Sequence, residues 1–260
     1  QPFVPDPAHS AEWNRGAYLV EGLGHCSACH SPRNALGAEK RGAAHLAGGF
    51  VDGWQAPALG KVSDAPVPWT EDALYAYLRT GRSAEHGAAA GPMAPVVASL
   101  AELPDADIRA MSVYLSARRE TAPGIDGTAL AEKLVAESEA DIRPARSVGA
   151  RLYDGACAVC HRSEAQGALF NAGTPLALTS ALHAEQPDNL IQVVLSGVEP
   201  AKSGAHSAMP GFADTFTDRQ IAELVRYVRS QFARSRPAWQ DVETAVASVR
   251  RSTTRLARGP

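Results

Sequence analysis

Two copies of one short pattern, Cys26-Ser27-Ala28-Cys29-His30 and Cys157-Ala158-Val159-Cys160-His161, contain every cysteine in the chain. Cys-x-x-Cys-His is the attachment signature of c-type haem. On one helical turn, positions i, i+3 and i+4 share a face, so two thiols can bond to the two vinyl groups of one porphyrin. The histidine that follows then reaches the iron from the same side. The pattern predicts two covalently bound haems c.

Two other kinds of site use cysteine pairs of this spacing. A thioredoxin-like redox dithiol needs Cys-x-x-Cys but no following histidine, and it occurs once, beside a strand-helix unit. A zinc site could take the four cysteines and two histidines as ligands, although the two motifs lie about 130 residues apart in the sequence. Two complete motifs with no cysteine left over favour haem over both alternatives.

The sequence repeats itself beyond the cysteine motifs. Each copy is predicted to contain a leading helix that ends in the haem motif, a middle helix and a closing helix, which makes the fold class all-α. Thr70 and Thr217 are predicted helix N-caps, and Gly81 is a predicted helix end. The matching segments are TEDALYAYLRTG (70–81) with QPDNLIQVVLSG (186–197), and LPDADIRAMSVYL (103–115) with FTDRQIAELVRYV (216–228).

The repeat sets the expected domain organisation. The linker contains ALAEKLVAESEAD, which we expect to form a short solvent-facing helix. The tail has apolar residues at helical spacing followed by arginines, and we expect a helix that caps the chain's own core. Docking to a partner or to an anionic membrane surface is the alternative. The predicted bounds are 10–116 for domain 1, 117–148 for the linker, 149–235 for domain 2 and 236–260 for the tail.

The sixth ligand of each iron decides what the haem can do. A haem is closed when the protein fills the sixth position, and open when a substrate or added ligand can bind there. A histidine–methionine pair closes the iron and raises its potential. Met93 lies in AGPMAP (90–95), between prolines that are incompatible with a regular helix, and Met209 lies in the equally irregular AMPGF (208–212). Each precedes the closing helix of its copy, so we predict that His30 and Met93 ligate one iron and His161 and Met209 the other.

The remaining candidate ligands are weaker. Met111 is in phase with the apolar stripe of its helix, so we interpret it as core. His86 and His206 each lie shortly before a predicted methionine ligand, which makes them rivals for the sixth position. His25 directly precedes a haem cysteine and is expected at the haem rim.

Several further residues are candidates for supporting the haems. The small c-type cytochromes that this sequence resembles have a proline whose carbonyl accepts a hydrogen bond from the haem histidine. Pro57 and Pro175 occupy the corresponding places in the two copies, with a plain turn proline as the alternative. Trp54, Tyr75 and Tyr77 are candidates for haem edges or propionates, or else for core packing.

Composition excludes several other classes. The 260 residues are 45% apolar and 20% charged, with a formal net charge of −3. This balance is ordinary for a globular protein and argues against nucleic-acid binding. No run of apolar residues approaches the length of a transmembrane helix. The chain opens without a signal-peptide pattern, and we expect a periplasmic protein, or one on the periplasmic face of the inner membrane, whose signal peptide has been removed.

The motif-bearing segments resemble the cytochrome c subunits of periplasmic alcohol, aldehyde, gluconate and nicotinate-type dehydrogenases. RGAYLVEGLGHCSACHSPRNALGAEK (15–40) and TGRSAEHGAAAGPMAPVV (80–97) resemble the second haem domain of these usually tri-haem subunits, and GARLYDGACAVCH (149–161) with AMPGFADTFTDRQIAELVRYVRSQF (208–232) resembles the third. The resemblance implies two tandem class I cytochrome c-like domains with Met93 and Met209 as axial ligands, and a chain shorter than the family by one haem domain.

The predicted function follows from the predicted ligation, because an iron with six protein and porphyrin ligands can transfer electrons but has no free position for a substrate. We expect a non-catalytic di-haem electron carrier that receives single electrons from the catalytic subunit of a dehydrogenase and passes them to quinone, another cytochrome or an oxidase. Association with a membrane surface is compatible with this role. The alternative is a di-haem redox enzyme, a peroxidase or sulfur-compound oxidase, with one catalytically open haem. The absence of a spare cysteine and the paired methionines argue against it.

Overall fold

The computed structural model describes residues 3–60, 63–119, 125–140, 146–162, 174–199 and 208–257, with side chains to residue 253. The chain divides into two compact units. The first comprises Gln1–Ser63, Pro68–Ser83 and Pro92–Ile125. The second comprises Asp64–Val67, Ala84–Gly91 and Asp126–Pro260. One boundary, at Ile125 and Asp126, lies inside the predicted linker, whereas two short segments of the second unit fall within the predicted domain 1. The predicted domain bounds stay a prediction.

The first unit is built from helices that begin and end where local chemistry favours it. Thr70 Oγ1 accepts the Ala73 amide at 3.1 Å, and Gly81 ends that helix in the left-handed region with φ 81°. The elements are α1 (Ala11–Tyr18), a π-helical turn (Leu19–Leu23), α2 (Ser27–His30), a 3-10 turn (Gly42–Ala44), β1 (Gly49–Val51), β2 (Trp54–Ala56), α3 (Glu71–Thr80), β3 (Arg82–Ser83), α4 (Met93–Leu100) and α5 (Asp105–Ala117).

The second unit repeats the leading, middle and closing helices. Thr217 forms a capping box with Gln220, as its predicted N-cap role requires. The elements are β4 (Gly87–Ala88), α6 (Gly127–Glu139), α7 (Val148–Ala156), α8 (Ala158–His161), a 3-10 turn (Leu176–Leu178), α9 (Ser180–His183), α10 (Asp188–Ser196), α11 (Asp218–Phe232) and α12 (Val242–Ala257). The described chain is thus mostly helical, and the predicted all-α class omits only short strands such as the antiparallel pair β1–β2.

In each unit the leading helix crosses the closing helix at a glycine. A Cβ on Gly16 would lie 1.9 Å from the Ala110 carbonyl oxygen of α5. A Cβ on Gly149 would lie 2.1 Å from the Glu223 carbonyl oxygen of α11. Ala110 and Glu223 are equivalent in the sequence repeat, so both crossings use the same register. A backbone contact this close requires glycine.

The linker and the tail both pack into the second unit. Helix α6 was expected to face solvent, but Ala131 is buried against Val67 and Leu178, with further apolar residues of α6 beside them. That expectation is wrong because α6 has an apolar stripe that needs a partner. The tail helix α12 contributes three buried valines to the core of the second unit, as predicted: Val242, Val246 and Val249.

Candidate haem sites

Each haem motif forms a single helical turn. The His30 amide donates to the Cys26 carbonyl and the His161 amide to the Cys157 carbonyl, both at 2.9 Å. This i to i+4 bond places the first cysteine and the histidine on the same face, as the motif predicts. All four cysteines are free thiols rather than disulfides.

The thiols differ from those of a redox dithiol. Burial raises the pKa of Cys26 to about 11, and burial likewise raises the pKa of Cys157 to about 11. A thioredoxin-like site needs the opposite shift, because the thiolate is its nucleophile. Zinc is also unsupported, since the described residues contain no group of three or more histidine, cysteine or acidic side chains placed to hold a metal ion.

The ring of His30 is fixed by the proline that the sequence singled out. His30 Nδ1 lies 2.7 Å from the Pro57 carbonyl oxygen, which leaves Nε2 as the nitrogen available to a metal. The Gly48 amide donates to the His30 carbonyl at 2.8 Å, so the same loop holds both ends of the residue. Burial lowers the pKa of His30, which favours the neutral imidazole that metal ligation requires. These residues fit a haem.

The second motif is held differently. Tyr153 Oη donates to the His161 carbonyl at 2.6 Å, and burial lowers the pKa of His161. The Pro175 carbonyl accepts the Leu178 amide at 3.0 Å. Within the residues that the structure describes, the ring of His161 makes no hydrogen bond to Pro175. The predicted proline contact is therefore found in the first unit only.

The two predicted methionine ligands lie in different backbone environments. Met93 is the first residue of α4 and packs against the core of the first unit. The expectation of an irregular backbone around Met93 is wrong, because Pro95 falls in the first turn, where a helix tolerates proline. Met209 is irregular as expected: it forms an isolated bridge with Val198, with hydrogen bonds of 3.0 and 2.9 Å. Met111 is core, 2% exposed.

The structure describes one of the two rival histidines. His86 is buried within Ala84–Gly91, a segment of the second unit, whereas Met93 belongs to the first. His206 lies outside the described residues. His25 adopts a positive φ of 35° directly before Cys26. The axial assignments themselves stay predictions.

Two of the three aromatic candidates pack against the core of the first unit. Tyr77 meets Trp69 edge-to-face with ring centroids 5.4 Å apart, and both rings pack against that core. Tyr75 packs against it as well, and its Oη donates to Asp105 at 2.8 Å. Trp54 pairs with Val51 in the β1–β2 hairpin. Tyr75 and Tyr77 are thus the two candidates that share the core against which Met93 packs.

A polar cluster beside the first motif has no counterpart in the sequence interpretation. Glu21, in the π-helical turn, accepts a hydrogen bond from Tyr114 Oη at 2.5 Å. Its other oxygen lies 2.7 Å from His45 Nε2, and Arg118 donates to Tyr114 Oη at 2.8 Å. The partners come from distant parts of the chain, so no local spacing signals the cluster. It joins α5 and the loop after the haem motif to the turn that precedes Cys26.

Family models cover most of both units. Residues 14–118 match the family Cytochrome c, and residues 144–228 match the family Cytochrome C oxidase, cbb3-type, subunit III. Each match includes one complete Cys-x-x-Cys-His motif. The chain is a c-type cytochrome.

Whole-sequence comparison relates this cytochrome to dehydrogenase subunits. It is 48% identical to one of the subunits of nicotinate dehydrogenase from Pseudomonas putida, over 95% of this chain and 20% of that protein. It is 36% identical to the fructose dehydrogenase cytochrome subunit of Gluconobacter japonicus, over 89% of this chain and 51% of that protein. It is also 36% identical to the gluconate 2-dehydrogenase cytochrome c subunit of Pantoea cypripedii, over 97% and 59%. The predicted resemblance is confirmed, and the cytochrome spans about three-fifths or less of these relatives.

Proposed function

We propose that this cytochrome carries two covalently bound haems c and relays single electrons from a dehydrogenase to quinone or another cytochrome. The contact between His30 Nδ1 and the Pro57 carbonyl at 2.7 Å carries the proposal, because it orients an imidazole beside two free thiols. A haem bound there supplies an iron that changes oxidation state by one electron. The relatives support the direction of transfer, since their names describe subunits of dehydrogenases.

Different residues would hold the two haems. Cys26 and Cys29 would bond the first porphyrin, and Cys157 and Cys160 the second. His30 and His161 would supply the imidazole ligands. Met93, which packs against the core of the first unit, would supply a thioether to the first iron.

Met209 would ligate the second iron from a loop whose backbone is held by hydrogen bonds. Its backbone pairs with Val198, and a Cβ on Gly197 would lie 2.3 Å from the Met209 carbonyl oxygen. Gly197 has φ 76°, so the close approach and the backbone conformation both depend on glycine. A methionine held in this way resists displacement, which suits a carrier rather than an enzyme with an open haem.

The cellular setting forms part of the proposal. Haems of this family are attached after export, so we place the cytochrome in the periplasm or on the periplasmic face of the inner membrane. Among the described residues, no helix combines the length and apolar character that crossing a membrane requires. Purification from the native source tests the donor, because a flavoprotein, quinoprotein or molybdenum dehydrogenase would then co-purify.

Ligand binding to the reduced protein tests the closed-carrier proposal. Mass spectrometry and the alkaline pyridine spectrum should give two haems per chain, and carbon monoxide should bind neither of them readily. Met93→Ala and Met209→Ala should each open one haem to carbon monoxide. The matched control is Met111→Leu, which changes a core methionine and should open neither. Ready binding of carbon monoxide by the unmodified protein would refute the closed carrier and favour the di-haem enzyme.

A further inference from the structure

A partly buried cation, Arg119, packs beside the core of the first unit, and the described residues give it no acidic partner. The Nε atom of Arg119 is inaccessible to solvent and makes no hydrogen bond. The guanidinium carbon lies 5.7 Å from the ring centroid of Trp69. In the part of the chain that the structure describes, Arg119 forms no ion pair, whereas its neighbour Arg118 contacts both Tyr114 and Glu21. Burial lowers the pKa of Arg119 to about 10.

The sequence repeat pairs Arg119 with a buried residue of the second unit. The closing helices align at a constant offset of 113 residues, which pairs Tyr114 with Tyr227 and Arg119 with Phe232. Phe232 is 6% exposed and lies 5.5 Å from the Tyr153 ring in the core of the second unit. The first copy therefore has a partly buried arginine, two residues beyond the end of α5, where the second has a buried aromatic ring at the end of α11.

A partly buried guanidinium favours an anionic partner. Its Nε is a buried donor that lacks an acceptor, and leaving such a donor unpaired lowers stability. Arg119 is also on the side of the first unit that the haem would occupy, because Trp69 packs against the same core as Cys26 and Met93. The anions that belong in this pocket are the two carboxylate side chains of the porphyrin.

We propose that Arg119 binds a porphyrin carboxylate in the first haem site, with the Trp69 ring holding the guanidinium plane. A guanidinium presents several N–H donors in a fixed plane, which matches the two oxygens of a carboxylate. The second site has Phe232 at the equivalent position, so the interaction is specific to the first haem. The inference rests on the proposed attachment of a haem at Cys26, Cys29 and His30.

The midpoint potentials of the two haems test the assignment. A positive charge near the iron favours the reduced state, so removing it should lower the potential of the first haem. Arg119→Phe removes the charge and keeps the packing that the second copy uses, and Arg119→Gln removes it with a polar side chain. Both should lower the potential of the first haem and leave that of the second unchanged. Arg119→Lys should stay close to the parent protein.

The control is Arg109→Gln, which removes a charge from the exposed face of α5 and should shift neither potential. Loss of the first haem from both uncharged variants, but not from Arg119→Lys, would also support the assignment. Unchanged potentials in Arg119→Phe and Arg119→Gln, equal shifts in all three variants, or a shift of both haems would overturn it. These outcomes are independent of carbon monoxide binding, which tests the closed-carrier proposal.

Discussion

The glycine at each helix crossing gives the sharpest stability prediction. In Gly16→Ala, the new Cβ would lie 1.9 Å from the Ala110 carbonyl oxygen, and α1 and α5 would have to separate until this distance reached at least 3.0 Å. Overpacking of this kind costs about 1–3 kcal/mol. We expect a value at the upper end, because the new Cβ meets the backbone of α5 and not a side chain that could move away. The better helix propensity of alanine returns about 1 kcal/mol. We expect a net loss of about 2 kcal/mol, or roughly a 30-fold increase in the unfolded fraction.

The two units allow an internal control. Gly149→Ala should produce the same loss in the second unit, because the new Cβ would lie 2.1 Å from the Glu223 carbonyl oxygen. Gly155, on the same helix as Gly149, has nothing within 4 Å of an added Cβ, so Gly155→Ala should increase stability by up to about 1 kcal/mol.

Amide hydrogen exchange measured by mass spectrometry on the haem-bound protein assigns each loss to its unit. Exchange in α5 should accelerate in Gly16→Ala, and exchange in α11 should accelerate in Gly149→Ala. If Gly16→Ala exchanged like the parent, or if Gly155→Ala were destabilised as much as Gly149→Ala, the argument from the close crossings would be wrong.

Three further predictions concern caps and polar groups. Thr217→Ala removes a capping box and should lower the free energy of unfolding in urea by about 1 kcal/mol, whereas Thr217→Ser should restore most of it. Glu21→Gln and Tyr114→Phe should each cost about 1–2 kcal/mol, and their double-mutant cycle should show coupling; additive effects would mean that the 2.5 Å contact contributes nothing of its own. Burial lowers the pKa of His183 below the 6.5 of an unfolded chain, so its contribution to stability is present above pH 6.5 and lost as pH falls through the lowered folded pKa. Urea midpoints measured from pH 7.5 to 5 should fall accordingly, and His183→Gln should flatten that part of the curve.

Local chemistry made much of the fold predictable from sequence. Three helix ends depend on contacts within four residues along the chain: the N-cap Thr70, the C-terminal glycine Gly81 and the capping box at Thr217. The positions of those helix ends could therefore be predicted from the sequence. The haem motifs are equally local, because Cys-x-x-Cys-His occupies one helical turn. The proline contact of His30 was predicted only through the resemblance to small cytochromes, since it joins residues 27 positions apart.

The features that sequence reasoning missed depend on distant contacts. Met93 starts a helix although prolines flank it, because the apolar face of α4 packs on the core of the first unit. The carboxylate of Glu21 contacts His45 on a loop and Tyr114 on α5, and both residues lie far from Glu21 in the sequence. Its role could not be predicted from spacing, and neither could the burial of α6.

One difference between the two copies lies directly before the haem motif. Cys26 comes ten positions after Gly16, whereas Cys157 comes eight positions after Gly149, although both glycines contact equivalent carbonyls. The first copy absorbs the two extra residues in the π-helical turn Leu19–Leu23, where the Gly24 amide donates to the Leu19 carbonyl at 2.7 Å. Such turns are commonly found at functional sites. Here the turn brings Glu21 within reach of α5, and in the same copy Arg119 lies two residues beyond the end of α5. The two copies share one frame of crossing helices, and the Glu21 cluster lies directly before the first haem motif, so we expect proton- and charge-dependent effects on the potential of the first haem.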